Sequence, residues 1–365
     1  MTRTILLIDD KEDFLTALAD ALKQALGTEA SIVSWVPRKD QKPADRFEEL
    51  LDQNDIRLVI TDYDLTEQGQ LGFFGATVVD WCQNRGIPVG DFSRGHASSL
   101  AEEPNLFELR VPIDSNDAAV AYVAAVFRGF AAIRDAIEAD ARLLKQRSPA
   151  AALAVMLDAK GMESQFSQYG GRYGSANSAL IDRFAATAPR DVKPELAKKV
   201  ALLAYIMGHL LVNAVLRFPG PILTKEALAA YLAVDLEEGD KFLPLFAPAA
   251  YSGPFAALNS YFWTPKVDDI LLALDDKVNA TVEFESPGEL NRTRVEAALD
   301  VTLKRPEGCQ RCEGKNGGFL CPFSARTVCQ RPDCSVVSNV WIPPGARLSR
   351  FEREFYDEWA PILGM

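Results

Sequence analysis

The chain has 365 residues, of which 48% are hydrophobic and 25% are charged, so it is long enough to bury the cores of two or three domains. Its 51 aspartates and glutamates outnumber its 39 lysines and arginines, giving a net charge of −12. This balance argues against a general affinity for nucleic-acid phosphates or anionic membranes. The amino terminus leads directly into an apolar run with no signal peptide, and we expect a cytoplasmic protein.

Two short apolar runs near the amino terminus end in carboxylates. They are ILLIDD at 5–10 and RLVITDYDL at 57–65, and buried parallel strands whose carboxyl ends open into a site have this pattern. Two such strand ends would bring Asp9, Asp10 and Asp62 into one crevice. Ionised carboxylates that close together need either raised pKa values or a cation between them. Because Mg²⁺ prefers oxygen ligands, the pattern predicts a magnesium-dependent phosphoryl-transfer site.

With these motifs in place, residues 4–114 resemble the receiver domain of two-component response regulators. The resemblance implies a doubly wound, parallel, five-stranded α/β fold that takes a phosphoryl group from a sensor histidine kinase or a phosphotransfer protein. It also implies that Asp62 is the phosphoacceptor and that Asp9, Asp10 and Asp62 hold the magnesium ion. It further implies a metal-binding phosphoprotein that takes part in phosphorelay signal transduction.

Other positions can be compared with the same family. Gly75 takes the place of the glycine before the third helix, and Ser93 takes that of the hydroxyl residue that hydrogen-bonds the phosphoryl group. The family has a lysine directly before the proline of its fifth strand, whereas here Val111 precedes Pro112. Arg110 is one position away and is expected to face away from the site, because side chains alternate along a strand. Two alternatives stay open: an active phosphoacceptor, or a degenerate receiver that acts as an interaction scaffold.

The remaining elements of the receiver are predicted from hydrophobic periodicity and stop signals. The segment 93–105 leaves little room for a long fourth helix. The predicted helices and strands are a helix at 13–26 stopped by Gly27, a strand at 29–37, a helix at 44–53, a strand at 58–62, a helix at 76–86 and a strand at 106–112.

Residues 116–147 contain no proline and have apolar residues at three- and four-residue spacing. This pattern predicts one long helix of roughly 50 Å, at a rise of ~1.5 Å per residue. It is interpreted either as an ordinary helix that bends into the next domain or as a stiff connector. The connector would transmit the receiver's state and would form the interface of a homodimer.

A helical domain is predicted for residues 148–300, and Ser148 with Pro149 forms a cap and first-turn pair that starts its first helix. Residues 200–216 form the most apolar stretch, but it is shorter than the ~20 residues of a membrane span. It also contains His209 and Asn213. We interpret it as a buried helix with His209 as a hydrogen-bonded core residue.

Residues 224–245 resemble a helix-turn-helix, with Thr224 as the cap of the first helix. The second helix would present its opening residues to DNA, where carboxylates repel phosphates. A protein-packing pair of helices is therefore preferred, and a DNA-binding transcriptional regulator is the alternative. The repelling residues are Asp235, Glu237, Glu238 and Asp240.

A cysteine-rich segment near the carboxyl terminus predicts a structural zinc site in a module at 301–365. Five of the six cysteines lie within 26 residues, separated by two, eight, seven and four residues. Cys309 and Cys312 form a two-residue knuckle, Cys329 and Cys334 are the preferred second pair, and Cys321 competes for one place. Four thiolates are the usual structural coordination of Zn²⁺ and leave no position for a catalytic water.

The sequence offers few other catalytic groups, since His96 and His209 are its only histidines. We expect no enzyme. The predicted domains are a receiver at 1–115, a connector helix at 116–147, a helical domain at 148–300 and the zinc module. The function predicted is a response-regulator-like signalling protein whose output is a contact with a downstream protein partner.

Overall fold

The structure is a computed structural model that describes residues 2–65, 73–92, 108–112, 114–159, 161–170, 193–278, 284, 286–315, 317–337 and 350–354. Ser93, His96 and the rest of the segment 93–105 lie outside these ranges. Contacts divide the chain into two compact units. Unit 1 contains Met1–Leu157 and Ser175–Asn213, and unit 2 contains Asp158–Gly174 and Ala214–Met365.

Unit 1 is built on a five-stranded sheet with the order β2-β1-β3-β4-β5. All neighbouring strands in it are parallel, as predicted for a doubly wound α/β domain. The residues from Ile5 to Ile8 in β1 are fully buried, which is the expected state of a central parallel strand covered on both faces. The strands are β1 (Arg3–Ile8), β2 (Ser31–Trp35), β3 (Asp55–Thr61), β4 (Val89–Asp91) and β5 (Glu108–Arg110).

The helices that follow the first three strands of unit 1 match the predicted ones to within three residues at each end. Gly27 ends the first helix with a positive φ of 53°, a conformation that glycine adopts without strain. Phe47, Val59 and Val78 contribute to the buried cluster between the sheet and these helices. The helices are α1 (Glu12–Leu26), α2 (Pro43–Gln53) and α3 (Gly75–Gln83).

The predicted 32-residue connector helix is wrong in its length. The helix α4 (Asn116–Ala139) begins at the side-chain cap of Ser115 and ends at Asp140. There the Asp140 carboxylate accepts a hydrogen bond from the backbone N–H of Arg142 at 2.9 Å, and a 3₁₀ turn follows at Leu143–Lys145. α4 packs against α1 and β3 within unit 1, so it covers the sheet instead of extending away from it.

Two further helices of unit 1 lie within the described residues. The first is α5 (Pro149–Met156), which starts as predicted with the Ser148 hydroxyl accepting the N–H of Ala151. Another helix, α6 (Glu163–Gly170), lies in unit 2, where the sequence had not indicated one. The second helix of unit 1 in this part of the chain is α7 (Lys193–Leu210). It packs on α4 and α5 and continues into a π-helical turn at Leu211–Val215.

His209 lies in the core of unit 1, as predicted. It is fully buried between the rings of Phe130 and Tyr205, and its Nδ1 lies 3.2 Å from the Asn213 amide nitrogen. Burial lowers the pKa of His209 to about 3, so it is neutral. Among the described helices, Leu196–Val215 is long and apolar enough to cross a membrane by length and composition, but 78% of its most apolar window is buried inside the structure.

The core of unit 2 is formed by short helices around a two-stranded antiparallel sheet. Leu303 and Leu320, from the cysteine-rich part of the chain, belong to the same buried cluster as Leu228 and Phe242. The elements are β6 (Ile222–Thr224), α8 (Lys225–Tyr231), α9 (Gly239–Phe242), β7 (Tyr261–Trp263), α10 (Thr264–Leu272) and α11 (Pro287–Leu299).

The helix-turn-helix pattern is present only in its first half. Thr224 caps α8 as predicted, its hydroxyl accepting the N–H of Ala227 at 3.1 Å. The second helix is replaced by a 3₁₀ turn, the four-residue α9 and a further 3₁₀ segment at Leu243–Ala249. Such short pieces do not form the continuous recognition helix that a DNA groove requires.

In the described part of the cysteine-rich segment, Cys309 and Cys312 lie in a turn, and four very short strands lie near Cys321, Cys329 and Cys334. A hairpin pairs β8 (Phe319–Leu320) with β9 (Thr327–Val328), and β10 (Ser335–Val336) pairs with β11 (Phe351–Glu352), both antiparallel.

Candidate functional site

Three carboxylates meet at the carboxyl edge of the parallel sheet. Asp9 and Asp10 directly follow β1, and Asp62 directly follows β3, which is the neighbour of β1 in the sheet. Each offers one oxygen, and the three oxygens lie within 4.8 Å of one another. Asp9 and Asp10 are only 2% and 1% exposed, whereas Asp62 is partly open to solvent. This arrangement can hold a metal ion.

Backbone hydrogen bonds fix the positions of these carboxylates. Asp9 Oδ1 accepts the N–H of Lys11, and Asp62 Oδ1 accepts the N–H of Tyr63, both at 2.8 Å. The N–H of Asp62 donates to the carbonyl oxygen of Ile8 at 2.9 Å, which ties the end of β3 to the end of β1. The carboxylates are therefore placed by the strands themselves and not by a long loop.

The carboxylates lie so close together that ionising all of them without a bound cation is energetically unfavourable. Burial raises the pKa of Asp62 to about 6, helped by the charges of Asp9, Asp91 and Asp10, while the N–H of Tyr63 acts in the opposite direction. The pKa of Asp9 is also raised, by burial and by Asp10. A divalent cation bound among these oxygens would reverse the effect, because it favours the ionised forms.

Asp91 is a fourth carboxylate of this neighbourhood that sequence reasoning missed. It is the last residue of β4, next to β3 in the sheet, and its charge contributes to the raised pKa of Asp62. It is not one of the three residues whose oxygens come within metal-ligand distance of one another. The signal was present in the sequence IPVGD, a third apolar run that stops at a carboxylate.

Gly75 is required by the close approach of the chain next to Asp62. Its N–H donates to the carbonyl oxygen of Tyr63 at 2.8 Å. A Cβ atom at this position would collide with the Asp62 carbonyl oxygen and lie 3.0 Å from Tyr63 Cα. Gly75 is the first residue of α3 and does not precede the helix.

The fifth strand presents no lysine at the expected position. Val111 is 5% exposed, and its N–H donates to the Asp91 carbonyl oxygen at 3.0 Å. Arg110 is exposed. An apolar side chain therefore occupies the position at which the resemblance to receiver domains predicts a lysine.

A second candidate metal centre lies in unit 2, where four cysteine sulfurs lie within 4.8 Å of one another. They belong to Cys309, Cys312, Cys329 and Cys334, the two pairs preferred from sequence. The sulfurs of Cys312 and Cys329 are 3.9 Å apart. Cys321 is fully buried outside this group, and its sulfur accepts the N–H of Glu352 at 3.3 Å.

The turn around the first cysteine pair points amide hydrogens at sulfur. Burial would raise the pKa of Cys309, but hydrogen bonds from the N–H groups of Cys312, Arg311 and Cys329 outweigh it and lower the pKa to about 6. The pKa of the Arg331 guanidinium is raised by its interactions with Cys312, Cys334 and Cys329. Burial and the neighbouring cysteines raise the pKa of Cys334 to about 12. The amide donors thus stabilise the thiolate of Cys309, and the thiolate is the form that binds Zn²⁺.

Comparison with protein-family models, with curated proteins and with solved structures finds no match to this chain.

Proposed function

We propose that this chain is a response-regulator-like signalling protein in which Asp62 accepts a phosphoryl group. The observation that supports this proposal is the group of Asp9, Asp10 and Asp62, whose oxygens lie within 4.8 Å of one another. They stand at the carboxyl ends of adjacent strands in a sheet of order β2-β1-β3-β4-β5, where open α/β sheets bind their ligands.

The chemistry follows from the properties of Asp62. Its ionised carboxylate oxygen attacks the phosphorus of a phosphohistidine or of acetyl phosphate, and an acyl phosphate forms as the bond to the leaving group breaks. With a pKa of about 6, Asp62 is mostly ionised at neutral pH and above. Bound magnesium supplies positive charge that stabilises the phosphoryl oxygens. Asp9, Asp10 and Asp62 would hold the ion, and Asp62, the most exposed of the three, has the carboxylate that reacts.

Output in this proposal is a changed contact with a downstream protein partner. Ser93 would respond to the new phosphoryl group by hydrogen bonding to it. The phosphoryl donor is a sensor histidine kinase or a phosphotransfer protein, and a homodimer is a further proposed state.

A second candidate function is a degenerate receiver that serves as an interaction scaffold. The observation that favours it is Val111, a buried apolar side chain where the family has a lysine. Without that lysine, the developing charge of the transfer would be balanced less well. The folded unit would then keep its surface and its acidic group but would not react.

Intact mass measurement after incubation with acetyl phosphate and Mg²⁺ distinguishes these two functions. We expect a single phosphoryl adduct on the wild type, none on Asp62→Asn, and an undiminished adduct on Asp64→Asn. Asp64 is a matched control because it lies two residues away and its side chain is exposed. A wild type that stays unmodified, while remaining folded and binding Mg²⁺, contradicts the active form and supports the scaffold.

We also propose that Cys309, Cys312, Cys329 and Cys334 hold a structural Zn²⁺ ion. Their four sulfurs are close enough to share one metal, and tetrahedral four-thiolate coordination is the usual structural geometry. Very short strands surround them, so the metal would contribute much of the local folding free energy. Four thiolates fill the coordination shell, which supports a structural and not a catalytic role.

A further inference from the structure

A cavity of about 120 Å³ opens in unit 1 near the amino-terminal ends of the strands, at the other end of the sheet from the acidic group. Its walls come from the starts of β1 and β3, the turn after α3, and the facing sides of α4 and α7. Gly86 in that turn has a positive φ of 66°, and a Cβ there would lie 3.1 Å from the backbone of Ala201. The turn therefore lies directly against α7 and closes one side of the cavity.

The described lining of this cavity is cationic and apolar. Four arginines take part in it, and no described lining residue is acidic, although the whole chain has a net charge of −12. Phe127, Phe130 and Tyr205 provide aromatic surface, and small alanines from α4 and α7 leave the space open. The arginines are Arg3, Arg57, Arg85 and Arg134.

Each arginine already has a carboxylate partner outside the lining. Arg3 pairs with Asp135, Arg85 pairs with Glu48, and Arg134 Nε lies 3.0 Å from Glu138. The carboxylates of these three pairs are at least half exposed, and exposed ion pairs contribute little to stability. The fourth, Arg57 Nε, lies 2.8 Å from Asp55. Because guanidinium groups have several donors in a planar fork, they can accept a second anion without losing the first.

We propose that this cavity binds a small anionic compound, with a carboxylate or phosphate group attached to a short apolar body. The anionic group would lie among the arginines, and the apolar part would lie against the aromatic rings. At about 120 Å³ the cavity is smaller than the roughly 150 Å³ that accommodates benzene, so the apolar part is at most one ring and the anionic group lies at the open side of the cavity. This site does not involve Asp62, so it stands or fails independently of the proposed phosphoacceptor.

Calorimetric titration of the full chain with phenyl phosphate in EDTA tests this proposal, with benzoate, inorganic phosphate and phenol as comparison probes. We expect phenyl phosphate or benzoate to bind one per chain, and inorganic phosphate and phenol to bind at least about tenfold more weakly, because each lacks one half of the recognised structure. No binding of either aromatic anion overturns the proposal. Inorganic phosphate that binds as tightly as phenyl phosphate also overturns it.

Matched variants localise the binding. The double substitution Arg85→Gln with Arg134→Gln should weaken binding at least about tenfold, whereas Arg46→Gln with Arg142→Gln should not. Arg46 and Arg142 also pair with carboxylates, Glu49 and Asp140, but neither lines the cavity. Equal affinities for the two double variants contradict the proposed position.

Filling the cavity with a larger side chain distinguishes binding inside it from attraction of the anion to surface charge. Ala131 lines the cavity, whereas Ala132, its neighbour on α4, is exposed and does not. Ala131→Phe should abolish binding and Ala132→Phe should preserve it, with circular dichroism confirming that both variants are folded. Asp62→Asn should leave the affinity unchanged. Binding lost in Asp62→Asn but kept in Ala131→Phe would place the probe at the acidic group and overturn the proposal.

Discussion

The pKa of the Asp62 carboxyl group, at the end of β3, is set by its burial and by neighbouring carboxylates. Its pKa is raised to about 6 by burial and by the charges of Asp9, Asp91 and Asp10. An aspartate in an unfolded chain titrates near ~3.9. Folding therefore favours the protonated form of this side chain. The stability it contributes is present below about pH 4 and is lost as the pH rises through about 6.

Asp62→Asn should consequently stabilise the metal-free protein at pH 8. We expect a gain of about 1–2 kcal/mol in the free energy of unfolding, after allowing for partial exposure to water, and almost none at pH 4. Urea denaturation of the wild type and the variant in EDTA at the two pH values measures this change in the free energy of unfolding. Asp64→Asn, which removes an exposed carboxylate, is the control with little change expected. A loss of stability in Asp62→Asn at pH 8 would contradict the assigned repulsion.

Added Mg²⁺ should reverse the difference in stability between the wild type and Asp62→Asn at pH 8. A cation shared by Asp9, Asp10 and Asp62 would bind the folded wild type and stabilise it, whereas Asp62→Asn lacks one of the three carboxylate ligands. We expect the midpoint of thermal unfolding at pH 8 to rise more with added Mg²⁺ in the wild type than in the variant. Differential scanning calorimetry over a magnesium series measures this, and equal increases in both proteins would argue against a shared ion.

At the scale of the elements, helix packing depends on one small residue. Gly208 on α7 lies so close to α4 that a Cβ atom there would collide with the Phe130 ring. Alanine favours a helix over glycine by ~0.5–1 kcal/mol, whereas overpacking a core costs ~1–3 kcal/mol. The packing effect is the larger of the two, so glycine is the better residue despite its low helix propensity.

Gly208→Ala should therefore destabilise unit 1 by about 1 kcal/mol or slightly more. Combining it with Phe130→Leu, which removes the colliding ring, should give a double variant more stable than the sum of the two single effects. Chemical denaturation of the four proteins of this double-mutant cycle measures the coupling. Strict additivity would show that Gly208 and Phe130 do not limit the approach of α4 and α7.

At the scale of the whole molecule, apolar residues that flank the cysteine group of unit 2 share a hydrophobic core with the helices that precede them, while the cysteines form a buried cluster of their own. Leu303 and Leu320 are buried with Leu228, so loss of a metal from the cysteine group would affect more than a local turn. The proposed zinc ion would then stabilise unit 2 as a body. Its effect should be visible in the global unfolding of that unit.

Metal analysis of the purified chain should find one zinc per molecule. Cys312→Ser or Cys329→Ser should lose it and unfold unit 2 at a temperature at least about 5 °C lower, because one of four thiolates is missing. Cys321→Ser is the matched control that should keep the metal, since Cys321 lies outside the group of four. Zinc retained in Cys329→Ser but lost in Cys321→Ser would assign the ligands differently.

The sequence by itself determined the features that depend on local pattern. The apolar runs ending at Asp10 and Asp62 predicted buried strands, since such a run must be covered on both faces. Ser148 and Thr224 predicted helix starts, because their hydroxyls satisfy N–H groups that have no partner inside the helix. The two-residue spacing of Cys309 and Cys312 likewise predicted neighbouring sulfurs.

Only the tertiary structure decided how distant parts of the chain combine. The end of α4 at Asp140 came from a short side-chain turn that helical periodicity does not reveal. The contribution of Asp91 to the acidic group required the pairing of β4 with β3. The exclusion of Cys321, which the sequence left as a competitor of the preferred pair Cys329 and Cys334, also required the folded structure. The convergence of four arginines on one cavity likewise depends on contacts between residues far apart in sequence. Local propensity contains no information about such contacts.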